Sequence, residues 1–370
     1  MTRQEYREAS RDVIYLAACA VNSERPDPER IKKMDLARVY EAARNNLLAA
    51  AVGMALESAG IKDDVFVRAV ASAQRKNALL DADRAAVLAR MEEAGIWYMP
   101  LKGAVLKDMY PRYGMREMAD NDILFDAAQA EALRQIMTGL GFTVEDFDDG
   151  THDVYLKKPV SCFEMHRRLF STSLREDLGA YYDRVKDRLI PDEGKRFGYH
   201  FSDEDFYLYV IAHENKHYFL SGTGIRSILD TYVCLTRLKL DMDYVCREAE
   251  KIGIADYERQ NRSLALKLFS GKALNAEDEE MLEYVMISDS SGNAAAAAEL
   301  RVKQKGRWGY FLSRLTISRE GMEAMFPFLK KAPFLYPVCW VLRLFRGVLF
   351  HNKAFRTQMR AVLGLNRDKR

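Results

Sequence analysis

The stretch Leu101 to Asp126, LKGAVLKDMYPRYGMREMADNDILFD, decides the reading of this 370-residue chain. A Lys-Gly pair, Lys102-Gly103, follows a short apolar run, and two aspartates one residue apart, Asp120 and Asp122, precede Ile123-Leu124-Phe125. Alternate side chains of an extended strand share a face, so Asp120 and Asp122 are expected to point the same way. Two carboxylates on one face repel unless they are solvated, protonated or bound to a cation; Mg²⁺ ions would relieve that repulsion. Gly103 allows backbone to approach a ligand closely. Ala104 to Met109 reads as a short helix whose N-terminal amides are expected to face a phosphate. Further on, Val160-Ser161-Cys162-Phe163-Glu164-Met165-His166 reads as another strand, with Glu164 and His166 on one face and Glu164 as a third carboxylate. An isolated Asp-x-Asp is common in surface turns; the Lys-Gly turn before it and the Glu-x-His segment after it set this one apart.

Outward from that stretch, Ile96 to Met99, Ile123 to Phe125, Val154 to Lys157 and Val160 to Met165 are short β-like runs. Ala127 to Leu140 reads as a helix between them, closed by Gly139 and Gly141. Upstream, apolar residues recur at helical spacing over Arg3–Val21, Met34–Ser58 and Asp63–Ala94, with Val65, Ala69, Ala73, Leu80, Val87, Leu88 and Met91 as one stripe. Gly60 and Gly95 fit as helix stops. After Phe170 the spacing is helical again over Asp203–Phe219, Gly224–Leu238, Asp243–Ile252 and Asp256–Phe269. Ser202 caps the first of these, with Asp203, Glu204 and Asp205 in its first turn. Ala294 to Ala298 is a strong helix former. The expected architecture is α+β and mostly helical: an N-terminal helical segment over 1–94, a small mixed-sheet core over 95–170, and a C-terminal helical domain over 171–370.

With these residues in view, the chain resembles the polymerase-β-type nucleotidyltransferase superfamily, and more closely a bacterial family of uncharacterised nucleotidyltransferases. The matching residues are Leu101-Lys102-Gly103, Tyr110-Pro111, Arg116, Asp120-Asn121-Asp122, Glu164-Met165-His166, and the helix carrying His213 and His217. The resemblance covers Trp97 to Asp230. It implies a nucleotidyltransferase core that moves a nucleoside monophosphate from an NTP, ATP first among candidates, to a hydroxyl-bearing acceptor, releasing pyrophosphate. It also implies Mg²⁺ or Mn²⁺ held by Asp120, Asp122 and Glu164, with Glu164 as ligand or base, and a nucleotide contacted by Lys102, Gly103, Ala104 and Arg116. His166, His213 and His217 would wall the cleft. Two departures carry expectations of their own. Gly103-Ala104 stands where the superfamily usually has Gly-Ser or Gly-Gly, which leaves phosphate binding to backbone amides and Lys102. Asn121 stands between the aspartates where an apolar residue is usual, which predicts a less buried strand or a bulge.

A second constellation competes. His213-Glu214-Asn215-Lys216-His217 fits His-Glu-x-x-His, which on a helix sets two imidazoles one turn apart on a shared zinc with Glu214 as base. A zinc-dependent hydrolase is therefore the alternative enzyme, and a catalytically inactive nucleotide-binding module the alternative outside enzymes. No histidine follows at metzincin spacing, since Thr223 stands where one is needed. Arg226 and Asp230 are expected to form an ordinary i,i+4 pair.

Composition narrows the rest. A net charge of +2 gives no strong field for nucleic acid, which is not expected as a partner. Five scattered cysteines without a Cys-x-x-Cys pair fit reduced thiols in a cytoplasmic protein. The longest apolar stretch, Pro337 to Phe350, is short for a bilayer and contains Arg343 and Arg346, so no transmembrane segment is expected. Lys330 to Arg370 is basic and aromatic: its bland reading is a final helix pair on the bundle, its sharp reading a surface for anionic partners or membrane.

Overall fold

The computed structural model describes residues 1–148, 150–171, 176–220, 222–288, 322, 326, 329, 332–340 and 342. The helix former at Ala294 to Ala298 lies outside them, as does Lys330 to Arg370 apart from 332–340 and 342.

The N-terminal part is helical: α1 (Arg3–Val21), α2 (Pro28–Ile31), α3 (Leu36–Asn45), α4 (Ala49–Ser58) and α5 (Asp64–Ala94). Thr2 and Glu5 close α1 with a capping box. The single helix expected over Met34–Ser58 is broken. Leu47 takes a positive φ of 53°, and the buried Asn46 caps the break from its side chain. Its Nδ2 donates to the Ala42 carbonyl at 2.9 Å, and its Oδ1 accepts from the Ile225 amide at 2.8 Å. The break is set by a partner far along the chain, which local periodicity does not register. In α5 the buried stripe is Phe66, Ala73, Asn77, Leu80, Val87 and Met91; Val65 is exposed and Phe66 takes its place. Gly95 ends α5 at φ 72°, the left-handed turn that glycine adopts without strain.

The central sheet follows: β1 (Tyr98–Pro100), the short α6 (Gly103–Leu106), β2 (Asn121–Phe125), α7 (Ala130–Gly139), β3 (Thr143–Asp146), β4 (His152–Lys157) and β5 (Ser161–His166). The strand order is β1-β2-β5-β4-β3. Only β2 and β5 run parallel; the other pairs are antiparallel. β3 is an exposed edge whose polar Thr-Val-Glu-Asp sequence carries no strand signal. One face of the sheet is apolar: Ile123, Phe125, Tyr155, Phe163 and Met165 pack on Val87 and Met91 of α5 and on Leu133 and Met137 of α7. The other face carries the acids.

The chain continues with α8 (Glu176–Tyr182), the two-residue strands β6 (Ile190–Pro191) and β7 (Tyr199–His200), then α9 (Asp203–Leu220), α10 (Ile225–Arg237), α11 (Met242–Lys251), α12 (Ala255–Phe269) and α13 (Ala276–Ser288). The Ser202 hydroxyl caps α9, accepting from the Asp205 amide at 3.1 Å. These helices and α1, α3 and α4 share one apolar cluster, from Val13 and Leu16 through Leu208 and Ile211 to Leu264 and Val285. Arg7 and Arg11 of α1 pair with Glu283 and Glu279 of α13. The fold is thus a mostly helical α+β body carrying a five-stranded mixed sheet. Among the described residues, no helix is long and apolar enough to cross a membrane.

Candidate active site

The strand register assembles the site. Asp122 of β2 lies beside Glu164 of the parallel β5. Asp120 precedes Asp122 by two residues, His166 follows Glu164 by two, and His152 of β4 lies opposite His166. Residues two apart share a face and paired residues share it too, so all five point away from the apolar core. They line a cleft of about 500 Å³ between the sheet, the α6 turn and helices α9 and α10; Lys102, Gly103, Arg116, His213, Lys216, His217 and Arg226 also line it.

The expectation drawn from Asn121 as a departure from the family pattern fails on both counts. Asn121 is fully buried, and β2 pairs with β5 without a bulge. Its side chain points to the back of the sheet, where Nδ2 donates to the Leu80 carbonyl at 3.0 Å and Oδ1 accepts from Arg84 at 2.9 Å. A buried amide with both ends satisfied takes the place of an apolar residue.

Electrostatics separate the three carboxyls. Burial pushes Asp122 up, but the Lys102 ammonium and the His166 hydrogen bond outweigh it and hold Asp122 well below the usual carboxylate range. Lys102 Nζ is 3.4 Å from Asp122 Oδ2, and His166 Nε2 is 2.9 Å from Asp122 Oδ1. At Glu164 the balance goes the other way: burial first, then the charges of Asp122 and Asp120, outweigh Lys102 and push it to about 7. Burial and Asp122 raise Asp120 as well. Oxygen donors crowded until two resist ionisation are the donor set that a hard divalent cation satisfies. Nitrogen donors stand beside them: the ligand atoms of His152, Glu164 and His166 lie within 4.8 Å of one another.

The Lys102-Gly103 turn does something other than present amides. Lys102 takes a strained φ of 37°, which aims its side chain at Asp122. The Ala104 and Val105 amides are spent on the carbonyls of Leu101 and Lys102, and Ala104 is buried away from the cleft. Neither amide is available to a phosphate, contrary to the sequence expectation. Nor is the space over Gly103 left for a ligand. A Cβ there would meet Arg116 Nη1 at 2.7 Å and Met118 Cε at 2.9 Å; glycine is required because Arg116 crosses it.

Arg116, expected as a cation for phosphate, is committed elsewhere. It forks onto Asp230 of α10 with Nε and Nη2, at 2.8 and 2.9 Å, and Tyr110 donates to the same carboxylate at 2.6 Å. Asp230 therefore does not pair with Arg226 as the helical spacing predicts. Arg226 instead donates to the Glu117 carbonyl at 2.9 Å and lies in the cleft wall. Its neighbour across the cleft, Lys216, has no ion-pair partner among the described residues; burial and the nearby Lys102 lower its pKa.

The His-Glu-x-x-His pentad is at the site but not in zinc-hydrolase form. His213 and His217 do lie one turn apart, Nε2 to Nε2 3.0 Å. Burial first, then Lys216 and Lys102, push His217 down to about 4, so the pair is neutral. Glu214 turns away from both, into the helical core, where it accepts from Thr231 at 3.1 Å and Asn261 at 3.0 Å. Residue i+1 of a helix points about 100° from residue i, and here that rotation takes the glutamate out of the imidazoles' plane of action.

A comparison with protein families places the chain. Residues 32–270, more than half of it, match the model described as "Uncharacterised nucleotidyltransferase", and the chain belongs to that family. No curated protein and no solved structure matches it. Sequence reading missed three residues of the site. His152 is reached only through the β4–β5 register. Lys216 was hidden inside the pentad as an unassigned position, and Arg226 behind an ion pair that does not form.

Proposed function

We propose that the protein transfers a nucleoside monophosphate from an NTP, ATP first among candidates, to a hydroxyl-bearing acceptor, with release of pyrophosphate. The observation that carries this reading is the juxtaposition of Asp122 and Glu164 on adjacent parallel strands, with Asp120 beside them, in a chain of nucleotidyltransferase family. Asp120, Asp122 and Glu164 would hold Mg²⁺ or Mn²⁺; when bound, these ions neutralise the triphosphate and acidify the acceptor hydroxyl.

The chain's own groups account for the rest. Lys216, Lys102 and Arg226 line one cleft with the carboxylates and suit the β- and γ-phosphates, as charge-assisted contacts. His166 fixes the Asp122 carboxylate at 2.9 Å, so its oxygens are oriented before substrate arrives. Glu164 serves either as the third ligand or, left free of the ions with its carboxyl raised to about 7, as the general base. In the transfer the acceptor oxygen bonds to the α-phosphorus and its proton passes to Glu164. The bond from the α-phosphorus to the α,β-bridging oxygen breaks, and pyrophosphate leaves with that electron pair. Arg116 and Asp230, paired in the cleft wall, fix the Gly103 turn against α10. A cytoplasmic setting belongs to the same reading, supported by five free cysteines.

The test is incubation with α-labelled NTPs, Mg²⁺ and cell extract. Label appearing on one acceptor component, with pyrophosphate released and both lost in Asp122→Asn, supports the reading. Nucleotide binding without any turnover under these conditions favours the binding module instead.

A further inference from the structure

The net charge of +2 conceals a segregation. From residue 300 onward the chain carries 16 Lys and Arg against three acids, Glu320, Glu323 and Asp368, while residues 1–299 carry 40 against 51. An acidic body is thus followed by a strongly basic segment, beyond the last residue of the family match at 270. That segment also holds two of the three tryptophans, Trp308 and Trp340.

Within it, residues 333–335 form a 3₁₀ turn and 336–340 a helix. This short element is apolar on two faces. Leu335, Tyr336, Cys339 and Trp340 pack against Met322, Phe326 and Leu329. On the other face Phe334, Val338 and Leu342, spaced four apart, are 78%, 54% and 51% exposed. Phe334 and Leu342 stand four residues to either side of the helical Val338, the spacing at which helical neighbours share a face, and the three form the exposed apolar ridge of this element. A ridge of large apolar side chains in water marks a contact surface. Lys330, Lys331, Arg343 and Arg346 flank it in the sequence.

We propose that this face docks the protein on an anionic membrane surface, with Phe334, Val338 and Leu342 entering the headgroup layer and the flanking basic residues meeting lipid phosphates. Apolar ridge, aromatic residues and dense positive charge together are the chemistry of interfacial binding. A nucleic acid would use the positive charge and the rings but has no use for Val338 and Leu342. A second copy would bring the same positive charge to the interface. The inference stands apart from the transfer reading and does not depend on it.

Full-length protein is sedimented with vesicles of phosphatidylcholine alone and of phosphatidylcholine with phosphatidylglycerol. Binding is expected to the anionic vesicles only and to weaken with added salt. The variant Phe334→Ser/Val338→Ser/Leu342→Ser should lower that binding by roughly tenfold or more, with the melting temperature of the body unchanged. Replacing Lys330, Lys331, Arg343 and Arg346 by glutamine should lower it independently. No binding to either vesicle, or equal binding to both, overturns the proposal. So does a triple serine variant that binds as the parent does, or one that melts earlier because the ridge packs on its own body. Preference for single-stranded RNA over vesicles, or a dimer that the triple variant dissociates, overturns it in favour of those occupants.

Discussion

Arg116 and Asp230, 114 residues apart in the chain, form a buried two-pronged ion pair, Nε to Oδ1 at 2.8 Å and Nη2 to Oδ2 at 2.9 Å. The pair bolts the loop before β2 to helix α10, and its guanidinium passes over Gly103. The position of the Lys102 side chain therefore depends on a carboxylate in a different part of the fold.

Breaking this pair from one side leaves a buried charge uncompensated. Asp230→Ala should destabilise the protein by about 3–5 kcal/mol, read as a shift of the urea midpoint at constant slope. Gly103→Ala should disturb the same pair by collision, since its Cβ falls 2.7 Å from Arg116 Nη1. A wild-type midpoint for Asp230→Ala would show that the pair contributes no net stability.

Asp122→Asn removes a charge while keeping shape and most of the His166 contact. Transfer activity should fall roughly a hundredfold or more, with circular dichroism unchanged. His166→Gln should cost less, roughly 10–100-fold, as expected for a residue that orients a ligand. Turnover surviving in both Asp120→Asn and Asp122→Asn would remove these carboxylates from the chemistry.

The cation assignments separate by affinity. Lys216→Met and Lys102→Met should each weaken NTP binding by about 1.5–3 kcal/mol, the value of a charge-assisted contact. The second carries an added effect, because Lys102 also holds Asp122 in its ionised form at 3.4 Å. Isothermal titration with a non-hydrolysable NTP decides it; an unchanged affinity for Lys216→Met would place the triphosphate elsewhere in the cleft.

Glu164 supplies a pH prediction. Its carboxyl is raised from 4.5 to about 7, so the folded protein holds this proton more tightly than the unfolded chain does. That contribution is lost as pH rises between those two values. The neutral His213 and His217 act with the opposite sign below 6.5, so the Glu164 contribution is read as the melting-temperature difference between the metal-free parent and Glu164→Gln, which should move against the parent from pH 5 to pH 8. Mg²⁺ needs the ionised carboxylate, so its affinity should rise with pH, by up to roughly tenfold per unit below about 7, and then level off. Glu164→Gln should flatten the Mg²⁺ profile. Melting curves and Mg²⁺ titrations across this range are the measurement, and a Mg²⁺ affinity independent of pH would count against Glu164 as a ligand.

The two metal readings also diverge. Purified protein should contain far less than one zinc per chain, and His217→Ala should leave the metal content unchanged. Stoichiometric zinc by elemental analysis, lost in that variant, would revive the hydrolase.

Much of this was legible in the sequence because it rests on local pattern. Arg3–Val21 was bounded correctly by periodicity, and the shared face of Asp120 and Asp122 by strand alternation. The family resemblance brought Glu164, His213 and His217 to the same cleft. What escaped depends on distant partners. Asn121 reads as an intrusion in an apolar strand until Leu80 and Arg84 are seen behind it. Arg116 reads as a free cation until Asp230 meets it, and Arg226 reads as paired until Asp230 is taken. The break at Asn46 requires the Ile225 amide. β3 is an exposed polar edge, defined by its neighbour β4 more than by its own residues.

The apolar cluster that joins α1, α3 and α4 to α9 through α13 bears on how the polypeptide matures. Helix α1 is the first element made, yet the apolar cluster that holds its Val13 and Leu16 also takes in Leu264 of α12 and Val285 of α13, made some 250 residues later. The sheet is thus complete before the helical body that frames it. During synthesis α1, α3 and α4 can pack on one another, but the part of α1 that α12 and α13 cover must wait, and contacts of such long separation close slowly. A ribosome-bound fragment ending before α9 would carry all three acidic side chains but lack the wall of His213, Lys216 and Arg226. The cleft is therefore among the last features of the molecule to come into being.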